Sequence, residues 1–196
     1  VWQQAWNVDM DTAGGVSKNR FVIDRIESER GSALDIGCAP GRLLYWLRHA
    51  AEFKVVVGIE PDEKAHDAIR QIGSFGGSLL GGLFPKICWD TVTNTLPQKT
   101  VVSFDYIAAL DVFEHSADPE GFLKECHRLL AKDGQLFLML PLADDTPEKS
   151  RFFAPREHNY LHSFRNMRWM LQDTGFKAII RGRWAVGHDT VSARKI

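Results

Sequence analysis

The chain alternates between two hydrophobic patterns along most of its length. From Ser32 onward, short runs of apolar and β-branched residues alternate with longer stretches in which apolar side chains recur every three or four residues. The first pattern predicts buried strands, and the second predicts amphipathic helices. Seven strands are predicted in this way, at residues 33–36, 54–59, 86–89, 104–110, 135–140, 176–181 and 190–195.

The same patterns predict five helices, at residues 17–29, 42–51, 63–72, 119–131 and 165–174. Strands and helices that alternate in this order are typical of a parallel sheet covered by helices. We therefore predict one α/β domain of Rossmann-like, doubly wound architecture, with a seven-stranded, mostly parallel sheet and helices on both faces.

Two stretches do not follow the alternation. Residues 73–85 contain five glycines and three leucines, which predicts a loop with a short helix. Residues 142–157 carry mixed charge and are interrupted by prolines. Together with the residues up to 164, they are predicted to form an insertion on the substrate side of the site.

Composition and charge narrow the class of protein. The 196 residues are 44% hydrophobic and 25% charged, which is typical of one globular domain. The net charge of −1 gives no overall attraction to nucleic acid or to an acidic membrane surface. Cys38, Cys88 and Cys126 lie far apart and form no disulfide-like framework, which favours a reducing, cytoplasmic setting.

The ends and the apolar runs of the chain predict no membrane segment. No run approaches the roughly 20 apolar residues that a membrane span needs. Residues 1–11 are too polar for the core of a signal peptide. Because the chain does not begin with Met, we expect that its start has been trimmed.

A turn of small residues joins the first predicted strand to the next helix. Glycine at such a turn lets the backbone approach a ligand closely, because it has no Cβ. A dinucleotide turn of the form G-x-G-x-x-G would require a third small residue where this chain has Arg42. The turn instead matches acidic-x-Gly-x-(Gly or Ala)-x-Gly through Asp35, Gly37, Ala39 and Gly41. This pattern resembles motif I of class I methyltransferases.

Glu60 is a second candidate binding residue. It ends the second predicted strand, 25 positions after Asp35, close to the roughly 20 expected of an acidic residue that reaches an adenosine ribose. A carboxylate can accept hydrogen bonds from both ribose hydroxyls. The alternative is that Glu60 and Asp62 cap the following helix. The neighbouring glycine turn favours the ribose role.

The fourth predicted strand carries the most specific resemblance. It reads F-D-Y-I-A-A-L-D-V-F-E-H at residues 104–115, followed by Asp118 and Pro119. This block resembles the fourth-strand block of class I S-adenosylmethionine-dependent methyltransferases, in the group with a D-V-x-E-H sequence. With the glycine turn, the resemblance runs from about residue 33 to 141 and resumes at residues 157–176.

The resemblance implies a domain organisation, a cofactor and a set of binding residues. Residues 1–31 are expected to form an N-terminal helical lid, and residues 32–196 the methyltransferase domain that binds S-adenosylmethionine and releases S-adenosylhomocysteine. Asp90 and Thr91 should lie beside the adenine, and Leu110 near the methionine moiety. The other implied donor-binding residues are those of the glycine turn and of the second strand's end: Asp35, Gly37, Ala39, Gly41, Glu60 and Pro61.

Methyl transfer from a sulfonium needs mainly positioning, because the cofactor already carries the activated methyl group. An oxygen or nitrogen acceptor must also lose a proton, for which histidine is the natural base. His115, directly after the fourth strand, is the first candidate, and His162 is the reserve. The alternative for His115 is an orienting hydrogen bond to the backbone or to Glu114.

The segment around His158 and His162 resembles the family's H-x-x-x-F element. Histidines four apart could chelate a metal on a helix. No H-E-x-x-H order is present and no third ligand is evident, so no metal is predicted there.

Several aromatic residues near this segment are candidates for lining an apolar acceptor pocket, although core packing could also account for them. Core packing is favoured for Trp169. The full set is Phe152, Phe153, Tyr160, Phe164 and Trp169.

The predicted function is therefore methyl transfer from S-adenosylmethionine to the oxygen, nitrogen or carbon of a small-molecule acceptor. Nucleic acid is disfavoured, because residues 111–114 read D-V-F-E rather than the (N/D)-P-P-(Y/F) box of many nucleobase-methylating enzymes. Two alternatives remain: a non-catalytic domain that binds the donor, and a nicotinamide-dependent reductase, which Arg42 disfavours. The sequence carries no indication of oligomeric state.

Overall fold

The N-terminal part of the chain packs onto the domain through a short helix. The computed structural model describes residues 12–13, 16–38, 41–60, 78–79, 103–144 and 158–196. A small antiparallel hairpin of β1 (Thr12–Ala13) and β2 (Val16–Ser17) leads into α1 (Lys18–Ile23). The Ser17 hydroxyl caps α1 by accepting a hydrogen bond of 3.2 Å from the backbone N–H of Arg20.

The remaining described elements follow in the order strand, helix, strand that the hydrophobic pattern predicted. They are β3 (Ser32–Ile36), α2 (Arg42–His49), β4 (Val55–Ile59), β5 (Ser78–Leu79), β6 (Phe104–Leu110), a 3₁₀ turn (Phe113–His115), α3 (Pro119–Leu129), β7 (Leu130–Leu140), α4 (Phe164–Thr174), β8 (Phe176–Ala185) and β9 (His188–Lys195).

Seven of the described strands form one sheet in the order β5-β4-β3-β6-β7-β9-β8. The first five of these are parallel to one another, and β9 is antiparallel to both β7 and β8. This architecture confirms the predicted Rossmann-like, mostly parallel sheet. The strand order reverses between β3 and β6, and open α/β sheets bind ligands at the carboxyl end of such a switch point.

Helices cover both faces of the sheet, as predicted. Because side chains alternate along a strand, neighbouring residues enter different cores. One core lies between the sheet and α3 and α4, and the other lies between the sheet and α1 and α2. Strand residues of the first core include Leu34, Ile36, Ile107, Ala109, Leu136 and Leu138. Those of the second include Ala33, Val56, Tyr106, Ala108, Phe137 and Met139.

The predicted first helix is shorter than its hydrophobic pattern indicated. It ends at Ile23, whereas the pattern extended it to residue 29. The buried side chain of Gln135 accepts hydrogen bonds from the backbone N–H groups of Glu27 at 2.8 Å and Ser28 at 3.3 Å. Its amide nitrogen also donates to the carbonyl of Arg25 at 2.9 Å. These tertiary bonds replace the helical bonds that residues 25–28 would otherwise make.

The third strand differs from the prediction. A two-residue strand, β5, pairs with β4 through Val57 and Ser78. It lies in the glycine-rich stretch 73–85, so the prediction of a loop with a short helix is wrong at these two residues. This pairing depends on the position of β4 in the folded chain, which the local hydrophobic pattern does not contain. The predicted strand at 86–89 and the predicted helix at 63–72 lie outside the described residues.

Among the later elements, α4 agrees with its prediction to within a residue, whereas β7 begins at Leu130 instead of residue 135 and β8 ends at Ala185 instead of residue 181. α4 starts after Ser163, whose hydroxyl accepts a hydrogen bond from Asn166 N–H at 3.1 Å. Val186 and Gly187 form the turn between β8 and β9, which are therefore longer than predicted. Among the helices that the structure describes, none combines the length and apolar character required to cross a membrane.

Candidate active site

The glycine turn lies at the carboxyl end of β3, beside the ends of β4 and β6. The backbone N–H groups of Gly37 and Cys38 both donate to the carbonyl of Ile59, at 2.8 and 3.1 Å. Gly37 has a φ of 73°, and a Cβ there would lie 2.4 Å from a methyl group of Val112. Gly41 precedes α2 with a φ of 88°. The positive φ favours glycine at both positions, and at Gly37 a side chain would also clash. A turn without side chains at these positions is suited to close contact with a ligand.

Asp35 and Glu60 place two carboxyl groups in a nearly dry environment beside this turn. Asp35 is 3% exposed and Glu60 is 6% exposed. Burial, with the charge of Glu60 adding to it, raises the pKa of Asp35 to about 8, and the charge of Lys18 opposes the rise. Two buried acidic groups are costly unless hydroxyl or cationic groups satisfy them. The pair therefore suits a ligand that carries both.

Asp111 connects three separate parts of the chain at the end of β6. Its carboxylate forms an ion pair with Lys18 of α1 and lies 3.1 Å from Nδ1 of His188 in β9. Burial alone would raise the pKa of Asp111, but the hydrogen bond with His188 and the charge of Lys18 lower it below its ordinary value. Its φ of 56° is unusual for a residue other than glycine. Strain of this kind is often found at functional sites.

Lys18, Asp111 and His188 were not predicted as site residues from the sequence. Lys18 and Asp111 are 93 positions apart, and no local motif connects them. The D-V-F-E-H block did contain Asp111, but its ion pair depends on the tertiary position of α1. Leu110, which precedes it, lies half-buried at the end of β6, and its contact with the methionine moiety stays a prediction.

A second group of polar side chains lies on the 3₁₀ turn that follows Asp111. Glu114 is only 2% exposed, and its Oε2 atom has no hydrogen-bond partner in the described structure. Burial raises the pKa of Glu114 to about 8, and the charge of Asp111 adds to this effect. The exposed His115 ring lies 4.9 Å, between centroids, from the ring of the half-buried His158.

His162 lies in an aromatic environment. Its ring centroid is 5.4 Å from that of Phe113 and 5.6 Å from that of Tyr160. Its Nε2 atom is buried and has no hydrogen-bond partner among the residues that the structure describes, and burial lowers the pKa of the imidazole. Its carbonyl accepts a hydrogen bond of 2.9 Å from Ala143 N–H. His162 therefore joins the two described ends of the predicted insertion at 142–164.

The structure contradicts one expectation about the aromatic residues. Trp169 was expected in the core, but it is 58% exposed. Its helix buries Met167, Met170 and Leu171, and Trp169 projects from the opposite side. Of the other candidates, Tyr160 is exposed and Phe164 packs against the core. Several predicted residues lie outside the described residues: Ala39, Pro61, Asp90, Thr91, Phe152 and Phe153.

A family model described as a methyltransferase domain matches residues 17–180 of the chain. The match includes the glycine turn, Glu60 and the D-V-F-E-H block. It confirms the resemblance to methyltransferases inferred from the sequence, and it decides against the reductase alternative.

Curated relatives include ubiquinone biosynthesis O-methyltransferases. The mitochondrial protein of Bos taurus is 30% identical over 105 residues, which cover 54% of this chain and 27% of the relative. The protein of Pseudomonas syringae pv. tomato is 26% identical over 117 residues, which cover 60% of this chain and 47% of the relative. The chain thus spans about half or less of the length of these relatives.

Solved structures show the same fold. An S-adenosylmethionine-dependent methyltransferase from Mesorhizobium loti is similar with a TM-score of 0.68 and 16% identity, covering 90% of this chain and 97% of that one. One from Aquifex aeolicus has a TM-score of 0.67 and 18% identity, covering 91% and 90%. These similarities confirm the predicted fold class.

Proposed function

Since this chain belongs to the methyltransferase-domain family, we propose that it binds S-adenosylmethionine at the switch point of its sheet and passes the methyl group to a small-molecule acceptor. S-adenosylhomocysteine is the expected product. The observation that carries this proposal is the pair of buried carboxyl groups, Asp35 and Glu60, beside a turn with positive φ at two glycines, Gly37 and Gly41.

The residues of the switch point suit the groups that such a donor presents. Glu60 offers carboxylate oxygens to the ribose hydroxyls, and Asp35 offers a buried acidic group to the amino group of the methionine moiety. Gly37 and Gly41 allow the backbone close to the ligand. The influence of Lys18 on the pKa of Asp35 supports the view that this part of the site attracts positive charge. Ala39, Pro61, Asp90, Thr91 and Leu110 remain the further predicted contacts.

The donor, when bound, supplies a methyl group on a positively charged sulfur, so no covalent nucleophile is required of the protein. The chain's own residues hold the acceptor in line and accept or direct its proton. His115 is the proposed base because it is exposed on the turn directly after β6. His162 stays the reserve candidate.

The acceptor is proposed to be a small molecule, and the names of the O-methyltransferase relatives favour oxygen among the possible acceptor atoms. The net charge of −1 favours a small molecule over nucleic acid. A cytoplasmic location is proposed because Cys38 and Cys126 are both buried and free, as a reducing compartment would leave them.

Calorimetry with S-adenosylhomocysteine tests the binding step. We expect the chain to bind it in the micromolar range and to show no binding of NADH. Glu60→Ala should weaken binding by about 1.5–3 kcal/mol, the range for hydrogen bonds to a charged group. Glu29→Ala removes an exposed carboxylate that precedes β3, at the opposite end of this strand from the turn, and should leave the affinity unchanged.

Two outcomes would contradict the proposal. Binding of the dinucleotide without binding of the donor product would remove the donor site altogether. Binding of the donor without transfer of a labelled methyl group to any member of a small-metabolite panel would favour the non-catalytic alternative.

A further inference from the structure

Three side chains that can bind a metal converge beside the proposed donor site. Glu114 and His115 lie on the 3₁₀ turn after β6, and His158 lies in the segment that precedes α4. One ligand atom from each residue lies within 4.8 Å of the other two. Two ligands of a bound transition metal, each about 2 Å from the ion, are separated by roughly 3–4 Å. Side-chain rotation of the exposed His115 and the half-buried His158 can bring the three ligand atoms to the separation that a bound ion requires.

The environment of Glu114 is an independent indication of a ligand. Glu114 is only 2% exposed, and Oε2 lacks any hydrogen-bond partner within the described part of the chain. A buried carboxylate oxygen without a partner is destabilising, because it has lost its hydration and gained nothing in return. A cation placed between Glu114 and the two imidazoles would satisfy this oxygen. The apolar side chains of the core offer this oxygen no such interaction.

The backbone holds the two segments together without using the ligand atoms. The backbone N–H of Asn159 donates to the carbonyl of Glu114 at 2.9 Å, and its side-chain amide donates to the carbonyl of His115 at 2.7 Å. These two bonds hold Asn159, the residue that follows His158, against the turn that carries Glu114 and His115. The three residues are therefore brought together by the fold, and the ion is not needed to gather them.

We propose that Glu114, His115 and His158 form a binding site for a divalent transition-metal ion. Two imidazole nitrogens and one carboxylate oxygen suit Zn²⁺, Fe²⁺ or Mn²⁺ and leave coordination positions open. Mg²⁺ and Ca²⁺ prefer sites made of oxygen ligands and should bind weakly here.

The site differs from the one considered from the sequence. From the sequence, His158 was considered together with His162, and no third ligand was evident. His162 is not part of the group, since its Nδ1 lies 3.4 Å from the side-chain amide of Asn166 and its Nε2 is enclosed near Phe113. The ligands that the fold supplies to His158 are Glu114 and His115, more than 40 positions earlier in the chain.

The position of the site indicates a role, which rests on the proposed function. The ion would lie on the turn that follows Asp111, at the carboxyl end of β6. An open coordination position there could take the hydroxyl oxygen of an acceptor and lower its pKa, so that the proton leaves to solvent. In this state His115 holds the ion and does not act as the base. The proposed acceptor class is then a small molecule with a metal-binding hydroxyl group.

Zinc binding by the full chain tests the inference without any need for the acceptor. After treatment with a chelator and its removal, calorimetry with Zn²⁺ should show one equivalent bound. Glu114→Gln keeps the shape of the side chain and removes its charge, and His158→Ala removes a half-buried ligand. Each should weaken Zn²⁺ binding by at least about tenfold. His49→Ala, which removes an exposed imidazole from α2, is the matched control and should have no effect.

The absorption spectrum of bound Co²⁺ provides a second readout, because its visible bands depend on the ligands of the ion. The bands should change in His158→Ala and Glu114→Gln while the circular dichroism of both variants stays like that of the unmodified chain. Absence of Zn²⁺ binding, or equal binding by all three variants, would overturn the site. Zinc binding without binding of S-adenosylhomocysteine would support the metal site and contradict the proposed function. Binding of S-adenosylhomocysteine without binding of zinc would support the proposed function and contradict the metal site.

Discussion

Asp35 and Glu60 show how a single pair of residues can be predicted from sequence and still have an unforeseen property. Their positions at the ends of two strands follow from the hydrophobic pattern and the glycine turn. The burial of the two carboxyl groups does not follow from the pattern, because it depends on how β3 lies between β4 and β6. The result is an acid whose pKa is raised to about 8, because burial and the neighbouring charge of Glu60 both disfavour its ionised form.

Asp35→Asn should change the pH dependence of folding stability. Burial raises the pKa of Asp35 to about 8 in the folded chain, whereas in the unfolded chain the carboxyl group has its ordinary pKa near 3.8. Between these values the folded state binds more protons, so the free energy of unfolding falls as pH rises from about 4 to about 8. The variant should show a shallower fall, measured by urea unfolding across this range. Asp173→Asn, at an exposed position of α4, should keep the original slope. A slope unchanged by Asp35→Asn would mean that Asp35 is ionised in the folded chain.

At the scale of elements, the turn after β6 combines more roles than its sequence alone indicates. The D-V-F-E-H block predicted a strand end and a candidate base, and the structure adds the buried Glu114 and the neighbouring His158. His115 and His162 lie in different environments, one exposed and the other enclosed by aromatic rings. The two candidates should therefore respond differently to substitution.

His115→Ala should lower methyl transfer by about 10²–10⁴-fold, the usual contribution of a positioned base, while binding of S-adenosylhomocysteine changes by no more than a few-fold. His162→Ala should lower the midpoint of thermal unfolding and change transfer little, because the imidazole is buried against Phe113 and Tyr160. Both rates are measured with labelled donor and the acceptor found in the metabolite panel. An equal loss of rate in Glu114→Gln would favour the metal-ligand role of His115. A large loss of rate in His162→Ala at unchanged stability would make His162 the base instead.

The sequence predicted regular elements best where a strand or helix buries a complete hydrophobic pattern. This holds for β3, β4, β6 and α4, whose bounds agree with the prediction to within a residue or so. The prediction was wrong where contacts between distant parts of the chain determine the local structure. Residues 25–28 are not helical because they form hydrogen bonds with Gln135, which lies more than 100 positions later in the chain. The strand β5 forms only because β4 provides its hydrogen-bonding partner. Of the site, the motif residues were predictable, whereas the contacts of Lys18 and His158 were not.

For the whole molecule, the N-terminal residues link the donor site to the rest of the fold. α1 packs in the same core as α2 through Phe21, Val22 and Ile23. At its first residue, Lys18 pairs with Asp111 at the end of β6, and its ammonium lies 5.9 Å from the ring of Trp184 in β8. Lys18 thus holds the start of α1 beside the switch point. That residues 1–31 act as a lid stays a prediction.

Deletion of residues 1–15 should weaken binding of S-adenosylhomocysteine by about tenfold, or ~1.4 kcal/mol. The deletion retains Ser17, which caps α1, and Lys18, which pairs with Asp111, so the thermal midpoint should change little. The comparison with Lys18→Met separates two causes, since that variant keeps the segment but removes the ammonium group beside Asp111. If the segment covers the donor, the deletion lowers affinity mainly by raising the dissociation rate, which stopped-flow measurements resolve. If only the charge of Lys18 matters, the deletion binds as tightly as the full chain and Lys18→Met alone alters the affinity. An unchanged affinity in the deletion would show that residues 1–15 do not form a lid.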